Sequence, residues 1–171
     1  MREDGARWMR WLAVSAAVIA LDLATKAWVS AAFQLGESRE LLPVFNLVLA
    51  HNTGAAFSFL ADAGGWQRWV FTAITVAISI ALVIGLKRQH RNTLVAAAFA
   101  LVLGGALGNL YDRLTLGYVV DFLDLHWGRA HFPAFNAADS AISIGVALLL
   151  WDGLRPSQRG VAGEPARQEK P

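Results

Sequence analysis

Asp121 and Asp139 are carboxylic acids in apolar company. Asp121 is flanked by Val119, Val120, Phe122 and Leu123. Asp139 lies near the start of "FNAADSAISIGVALLLW" at 135–151, where only it and Asn136 are costly to place in a membrane. An apolar setting disfavours the charged form of an acid and raises its pKa. Two such acids held close together cannot both ionise easily, so they share one proton near neutral pH. One can then take a proton from water while the other protonates a carbonyl oxygen, which is hydrolysis by general acid–base catalysis. Taken alone, Asp139 reads as a capping acid at a helix N-terminus. Chemistry is the better reading because Asp121 and Asp139 fall at the outer ends of adjacent apolar spans. Asp124 reads as a solvated loop acid. Alternation would set Asp121 on the opposite face from Phe122, whereas a helical turn would set it beside Asp124, and both remain open.

Further polar residues sit where a membrane is expected. Asn136 and Asp139 are three apart and share a helix face. Asp22 and Lys26 are four apart, with the acid first, which is the favourable order on a helix. Each would cost about 2.5–3.5 kcal/mol at the centre of a span, and pairing reduces that. They read equally well as a structural clamp on the first span and as part of a site. In "GGALGNLYDR" Gly104 and Gly108 form a small-xxx-small pair that lets another helix approach. Gly105, Asn109 and Arg113 recur every four residues, so one face turns polar towards its outer end, where Arg113 can neutralise a carboxylate or hold a substrate carbonyl.

The elements that must position these residues are four apolar stretches in a chain of 171 residues, 56% hydrophobic and 16% charged. A soluble domain of this length usually carries about 25% charge. Spans are expected at about 11–32, 67–86, 93–112 and 133–154, each near the ~20 residues that cross a bilayer. Ten of the fifteen Lys and Arg fall in the N-terminal flank, the 87–92 connection and the C-terminal flank. Positive flanks stay inside, so both termini are expected in the cytoplasm and the 33–66 and 112–131 loops outside. Residues 1–32 also have features of a cleaved leader, with "VSA" as the cleavage site. Against this, Asp22 and Lys26 interrupt that pattern and removal would leave an odd number of spans. The outer loop 33–66 is long enough to be functional. Within it "LLPVFNLVLAH" reads as a strand, "NTG" as a turn and "AAFSFL" as a returning strand. The expected fold is therefore an all-α membrane protein of four helices, with a small sheet between spans one and two. Residues 1–155 form one domain and 156–171 a disordered tail.

Several classes of function are excluded or disfavoured. With no cysteine there is no disulfide, thiol nucleophile or thiolate metal site. Neither H-E-x-x-H nor G-x-S-x-G occurs, and His51, His126 and His131 lack metal-ligand spacing, so neither a metal nor another cofactor is expected. The net charge of +2 comes from the flanks and does not imply nucleic acid. Intramembrane acids and bases also mark proton relays, so a small proton-coupled membrane transporter is the alternative. It would need carboxylates spread through the membrane rather than gathered at one end.

Five blocks in order, "DLATK" at 22–26, "NTGAAFSF" at 52–59, "GGALGNLYDR" at 104–113, "VVDF" at 119–122 and "FNAADS" at 135–140, resemble the bacterial lipoprotein signal peptidases (signal peptidase II). The resemblance implies an aspartic endopeptidase, a hydrolase of the bacterial cytoplasmic membrane with its site at the outer face. It would cut diacylglyceryl-modified prolipoproteins just before the lipid-bearing cysteine. It implies Asp121 and Asp139 as the catalytic dyad, with Asn52, Gly54, Gly105, Asn109, Arg113 and Asn136 around the site and Asp22 and Lys26 as polar positions of the first span. The implied partners are prolipoprotein substrates, membrane lipid and globomycin-type inhibitors, and the enzyme is expected to act as a monomer.

Overall fold

The computed structural model describes residues 7–54 and 65–155. The expected strand "AAFSFL" and the tail after residue 155 lie outside those residues. The described chain runs α1 (Met9–Ala32), β1 (Ser38–Leu42), β2 (Phe45–Asn52), α2 (Gln67–Gln89), α3 (Thr93–Thr115), β3 (Val119–Trp127), β4 (Ala130–His131) and α4 (Ala137–Leu154). All four helices are long and apolar enough to cross a membrane. At 1.5 Å per residue, the 24 residues of α1 span about 36 Å. Outward-facing Leu21, Ile74, Ile78 and Leu150 are exposed, an arrangement suited to lipid and a liability in water.

Helix α3 lies in the middle and packs against the other three. Its sequence explains why. Ala96, Ala98, Ala100, Gly104, Gly105, Ala106 and Gly108 are all buried, and such small residues let backbones come together. Gly104 faces Ser15 and Val18 of α1, Gly105 faces Ala138 of α4, and Gly145 of α4 faces Ala98 and Val102. Ser15 Oγ donates to Ala100 O at 2.8 Å across the α1–α3 seam. The buried residues Ser15, Asp22, Lys26 and Val29 of α1 follow a helical repeat along that seam. Asn92 caps α3, accepting from the N–H groups of Leu94 and Val95.

The strands form one antiparallel sheet in the order β1-β2-β3-β4. This corrects the expected sheet in two ways. The stretch read as one strand, "LLPVFNLVLAH", is broken by a turn at Pro43 and Val44 into a β1–β2 hairpin. Proline has no N–H for a ladder and fixes its φ, so it suits a turn better than a strand interior. The sheet also draws half its strands from between α3 and α4. Thr115 ends α3, the Gly117 N–H donates back to Asp112 O at 3.2 Å, and Gly117 takes φ +87°, which favours glycine. The chain then enters β3, which pairs with β2 through Ala50 opposite Asp121 and Asn52 opposite Val119. On one face of the sheet Leu49, Val120 and Phe122 pack with Val29 of α1 and Phe33 just after it, which seats the sheet on the end of the bundle.

Candidate active site

Strand alternation settles the first open point. Val120 and Phe122 face the apolar core, so Val119, Asp121 and Leu125 project to the opposite side, where all three line a cavity of about 570 Å³. Asn52 lies two residues along β2 from the partner of Asp121 and so shares its face. Its Nδ2 donates to Asp121 Oδ2 at 3.0 Å, and its Oδ1 accepts the Gly54 N–H at 3.0 Å, holding the turn that follows.

Asp139 reaches the same cavity from α4. Residues 132–136 run beside β3, with Phe135 N–H donating to Leu123 O at 3.0 Å and Phe135 O accepting from Leu123 N–H at 2.8 Å. This delivers Asn136 to the N-cap of α4. There Asn136 Oδ1 accepts from the Asp139 N–H at 2.9 Å, and Asp139 Oδ2 accepts from the Asn136 N–H at 3.3 Å. This is a reciprocal capping box. The capping reading of Asp139 and its place at the cavity therefore hold together. The same geometry starts α4 at Ala137, after an extended lead-in over 133–136.

Two amides join the carboxylates. Asn136, with none of its surface exposed, donates through Nδ2 to Asp121 Oδ1 at 2.7 Å, with Asn109 Oδ1 at 3.1 Å also in reach. Asn109 donates through Nδ2 to Asp139 Oδ1 at 2.7 Å. Its orientation is forced, because its Oδ1 faces the Lys26 ammonium at 2.9 Å, a group that only donates. Lys26 Nζ also forms ion pairs with Asp22 Oδ2 at 2.7 Å and Asp112 Oδ2 at 2.9 Å, so two carboxylates and an amide oxygen surround the ammonium. Asp22 Oδ1 accepts the Ala138 N–H in the first turn of α4 at 2.9 Å. Asp22 and Lys26 do not line the cavity; they hold α1, α3 and α4 together behind Asn109.

Arg113 lines the cavity with Asn52, Asn109, Asp121 and Asp139. Its Nη1 donates to Asn109 O and its Nη2 to Gly54 O, each at 3.4 Å, and its guanidinium lies 5.6 Å from the Phe71 ring centroid. Burial, and next the Asp139 carboxylate, push the Asp121 carboxyl up to about 7. Gly105 does not line the cavity, yet it lets α4 approach α3 closely enough for Asn109 to meet Asp139.

Asp112 was missed by the sequence reading. It is 3% exposed, and besides Lys26 it accepts the Val120 N–H at 3.1 Å, tying α3 to β3 one residue before Asp121. The signal was present, since Gly104, Gly108 and Asp112 recur every four residues as Gly105, Asn109 and Arg113 do, one position round the helix. Asp124 needs correction. It is buried, not solvated, and accepts from Asn46 Nδ2 at 2.8 Å with His131 Nδ1 3.0 Å away. Burial raises its pKa, but these partners outweigh it and bring the carboxyl below the ordinary value. It faces away from Asp121, on the other side of β3.

Residues 14–155 match the family described as Signal peptidase (SPase) II. The chain is 52% identical over 151 residues to the lipoprotein signal peptidase of Shewanella oneidensis, covering 88% of this chain and 89% of that one. It is 54% identical over 145 residues to the lipoprotein signal peptidase of Paraburkholderia phymatum, covering 85% and 87%. A solved structure described as "Bacterial membrane enzyme structure by the in meso method at 2.3 A resolution" superposes with a TM-score of 0.77 at 34% identity, covering 90% of this chain and 94% of that one. Identity spread over nearly the whole length, on a shared fold of membrane-spanning helices, leads to one assignment: the chain belongs to the signal peptidase II family, a family of multi-pass membrane peptidases.

Proposed function

We propose that this protein is an aspartic endopeptidase that removes signal peptides from diacylglyceryl-modified prolipoproteins, cutting just before the lipidated cysteine, with Asp121 and Asp139 as its catalytic dyad. The observation that carries this reading is that these two acids, one from β3 and one from the first turn of α4, line one cavity and are bridged by the amides of Asn109 and Asn136.

The pair holds one proton near neutral pH. The ionised member takes a proton from water, and the resulting hydroxide attacks the scissile carbonyl carbon. The protonated member gives its proton to the carbonyl oxygen. Collapse of the tetrahedral intermediate breaks the C–N bond, and the leaving nitrogen takes a proton from the dyad. The dyad titrates as a unit. Arg113 and the Asn52 side chain are placed to hold peptide backbone across the cavity. Leu125, Phe132, Ile142 and Ile144 give the rest of it an apolar wall, suited to a signal peptide and acyl chains. A substrate anchored by its acyl chains brings its scissile bond to the headgroup level, the depth at which the ends of α3 and α4 meet the sheet. On this reading the site lies at the outer face of the cytoplasmic membrane, and residues 1–155 act as one domain and as a monomer. Globomycin-type cyclic peptides would compete for the same cavity.

The test is cleavage of a purified diacylglyceryl-prolipoprotein in detergent micelles by wild type, Asp121→Asn and Asp139→Asn. Loss of a general acid or base costs roughly 10²–10⁴-fold, so both folded variants should be inactive on the time scale of wild-type turnover. Retention of most of the wild-type rate by either would remove that residue from the dyad.

A further inference from the structure

The end of the bundle away from the carboxylates holds a second cavity. Its volume is about 500 Å³, and Arg7, Arg10, His90, Arg91 and Thr93 line it. The up-and-down path of the chain creates it, because the start of α1, the α2–α3 turn and the start of α3 all meet at that end. None of the described lining residues is a carboxylate. Asp152, at the same end of α4, accepts from Asn92 Nδ2 at 3.4 Å. Thr93 is the first residue of the 23-residue helix α3, so the positive end of its dipole adds to the arginine charges.

Aromatic residues fix the depth. Lys87 Nζ lies 4.9 Å from the Trp8 ring centroid. The Arg10 guanidinium lies 5.6 Å from Trp11 and that of Arg155 lies 5.7 Å from Trp151. Tryptophans flanked by cations belong at the level of lipid headgroups. The cavity therefore opens where the commonest anion is a phosphodiester attached to acyl chains. Guanidinium groups match phosphate oxygens in charge and in planar, forked geometry, and basic pockets between spanning helices take lipid headgroups.

We propose that this cavity binds the phosphate of an anionic phospholipid, whose acyl chains run along the bundle from the end opposite the carboxylates. The chemistry recognised is a phosphate group, and the lipid is its source. The site is independent of the peptidase reading and would exist whether or not the dyad is catalytic.

The test uses full-length protein purified in lipid-free detergent and counts bound lipid by native mass spectrometry. Phosphatidylglycerol, phosphatidylcholine and inorganic phosphate are titrated into wild type, Arg7→Gln, Arg10→Gln and the double variant. Phosphatidylglycerol should be retained in preference to phosphatidylcholine, whose headgroup carries its own cation. Each substitution should weaken phosphatidylglycerol binding about fivefold and the pair roughly 25-fold, with the lipid-free thermal midpoint unchanged. Equal retention by wild type and the variants, or equal retention of the two lipids, would overturn the proposal. Displacement of phosphatidylglycerol by millimolar inorganic phosphate would reassign the cavity to a soluble phosphate and overturn the lipid source. If the double variant does not fold, the single variants carry the same comparison.

Discussion

Asp121 sits on the boundary between two demands. Its neighbours Val119 and Val120 are nearly fully buried, which favours a neutral acid, while the amides of Asn52 and Asn136 donate to both of its oxygens, which favours a charged one. Burial prevails, with help from the Asp139 carboxylate, and the carboxyl is pushed from 3.8 to about 7. The folded chain therefore binds this proton more tightly than the unfolded chain does. The resulting stability is fully present below about 3.8 and is lost as the pH rises through about 7. The thermal midpoint in detergent should fall between pH 5 and 8.5 for wild type and should fall less for Asp121→Asn. The slope is the reading, since an amide at 121 also meets two donors and shifts the absolute midpoint. Parallel slopes would mean that Asp121 ionises normally. Lys26 is the converse case, a buried ammonium paired with the carboxylates of Asp22 and Asp112. Lys26→Met leaves Asp22 and Asp112 buried without their cation, a type of loss worth about 3–5 kcal/mol. It should lower the thermal midpoint and cut cleavage together, because Asn109 loses the group that fixes its amide. A fully stable, fully active Lys26→Met protein would remove the network from any positioning role.

Among the elements, α3 carries two functional stripes at once. The Gly104–Gly108–Asp112 stripe meets α1, and the Gly105–Asn109–Arg113 stripe meets α4 and the cavity. A Cβ on Gly105 would lie 2.3 Å from Ala138 O, a backbone atom in the first turn of α4 that cannot rotate away. Gly105→Ala should therefore part α3 from α4 where Asn109 meets Asp139. An overpacked core typically loses about 1–3 kcal/mol, and activity should fall further than stability does. Gly153→Ala, with nothing within 4 Å of its Cβ, is the matched control and should leave the midpoint and cleavage rate unchanged. Equal behaviour of the two variants would separate helix contact from catalysis. The legibility of the sequence follows the same physics. Helices were legible because a span needs an uninterrupted apolar run, and polar residues within such a run draw attention as site candidates. The glycine stripe was legible as packing, but not its partners, since spacing on one helix does not name the helix opposite. The sheet was only half legible. β3 lacks a clean alternation because both of its faces are covered, Val120 and Phe122 by the core and Asp121 by the cavity. Asp124 misled for a related reason, since only the register that sets it opposite Asn46 reveals that it is buried.

At the scale of the whole molecule, the two ends of the bundle are chemically opposite. One end carries the sheet, Asp121, Asp139 and the amides that join them; the other carries Arg7, Arg10, Lys87, Arg88 and Arg91 around interfacial tryptophans. Up-and-down connectivity forces this polarity, because the α1 start, the α2–α3 turn and the α4 end share one side, and most of the basic residues lie in those flanks. Flanking Lys and Arg remain on the cytoplasmic side when a helix inserts, so that end should face the cytoplasm and the sheet should face outward. A substrate exported with its lipid anchor in the outer leaflet would then meet the cavity without crossing the membrane. The absence of cysteine from the sequence provides a clean background for testing this. Arg129, exposed at the β3–β4 turn, and Arg88, exposed at the end of α2, mark the two ends. In intact cells a membrane-impermeant maleimide should label Arg129→Cys and spare Arg88→Cys, and permeabilisation should make both reactive. The opposite pattern would invert the protein and place the carboxylates on the side from which lipidated substrates have already departed. Labelling of both in intact cells would mean that the bundle does not seal the two ends from each other. Only the first pattern is compatible with four spans, outward-facing carboxylates and a cytoplasmic arginine cavity in one molecule.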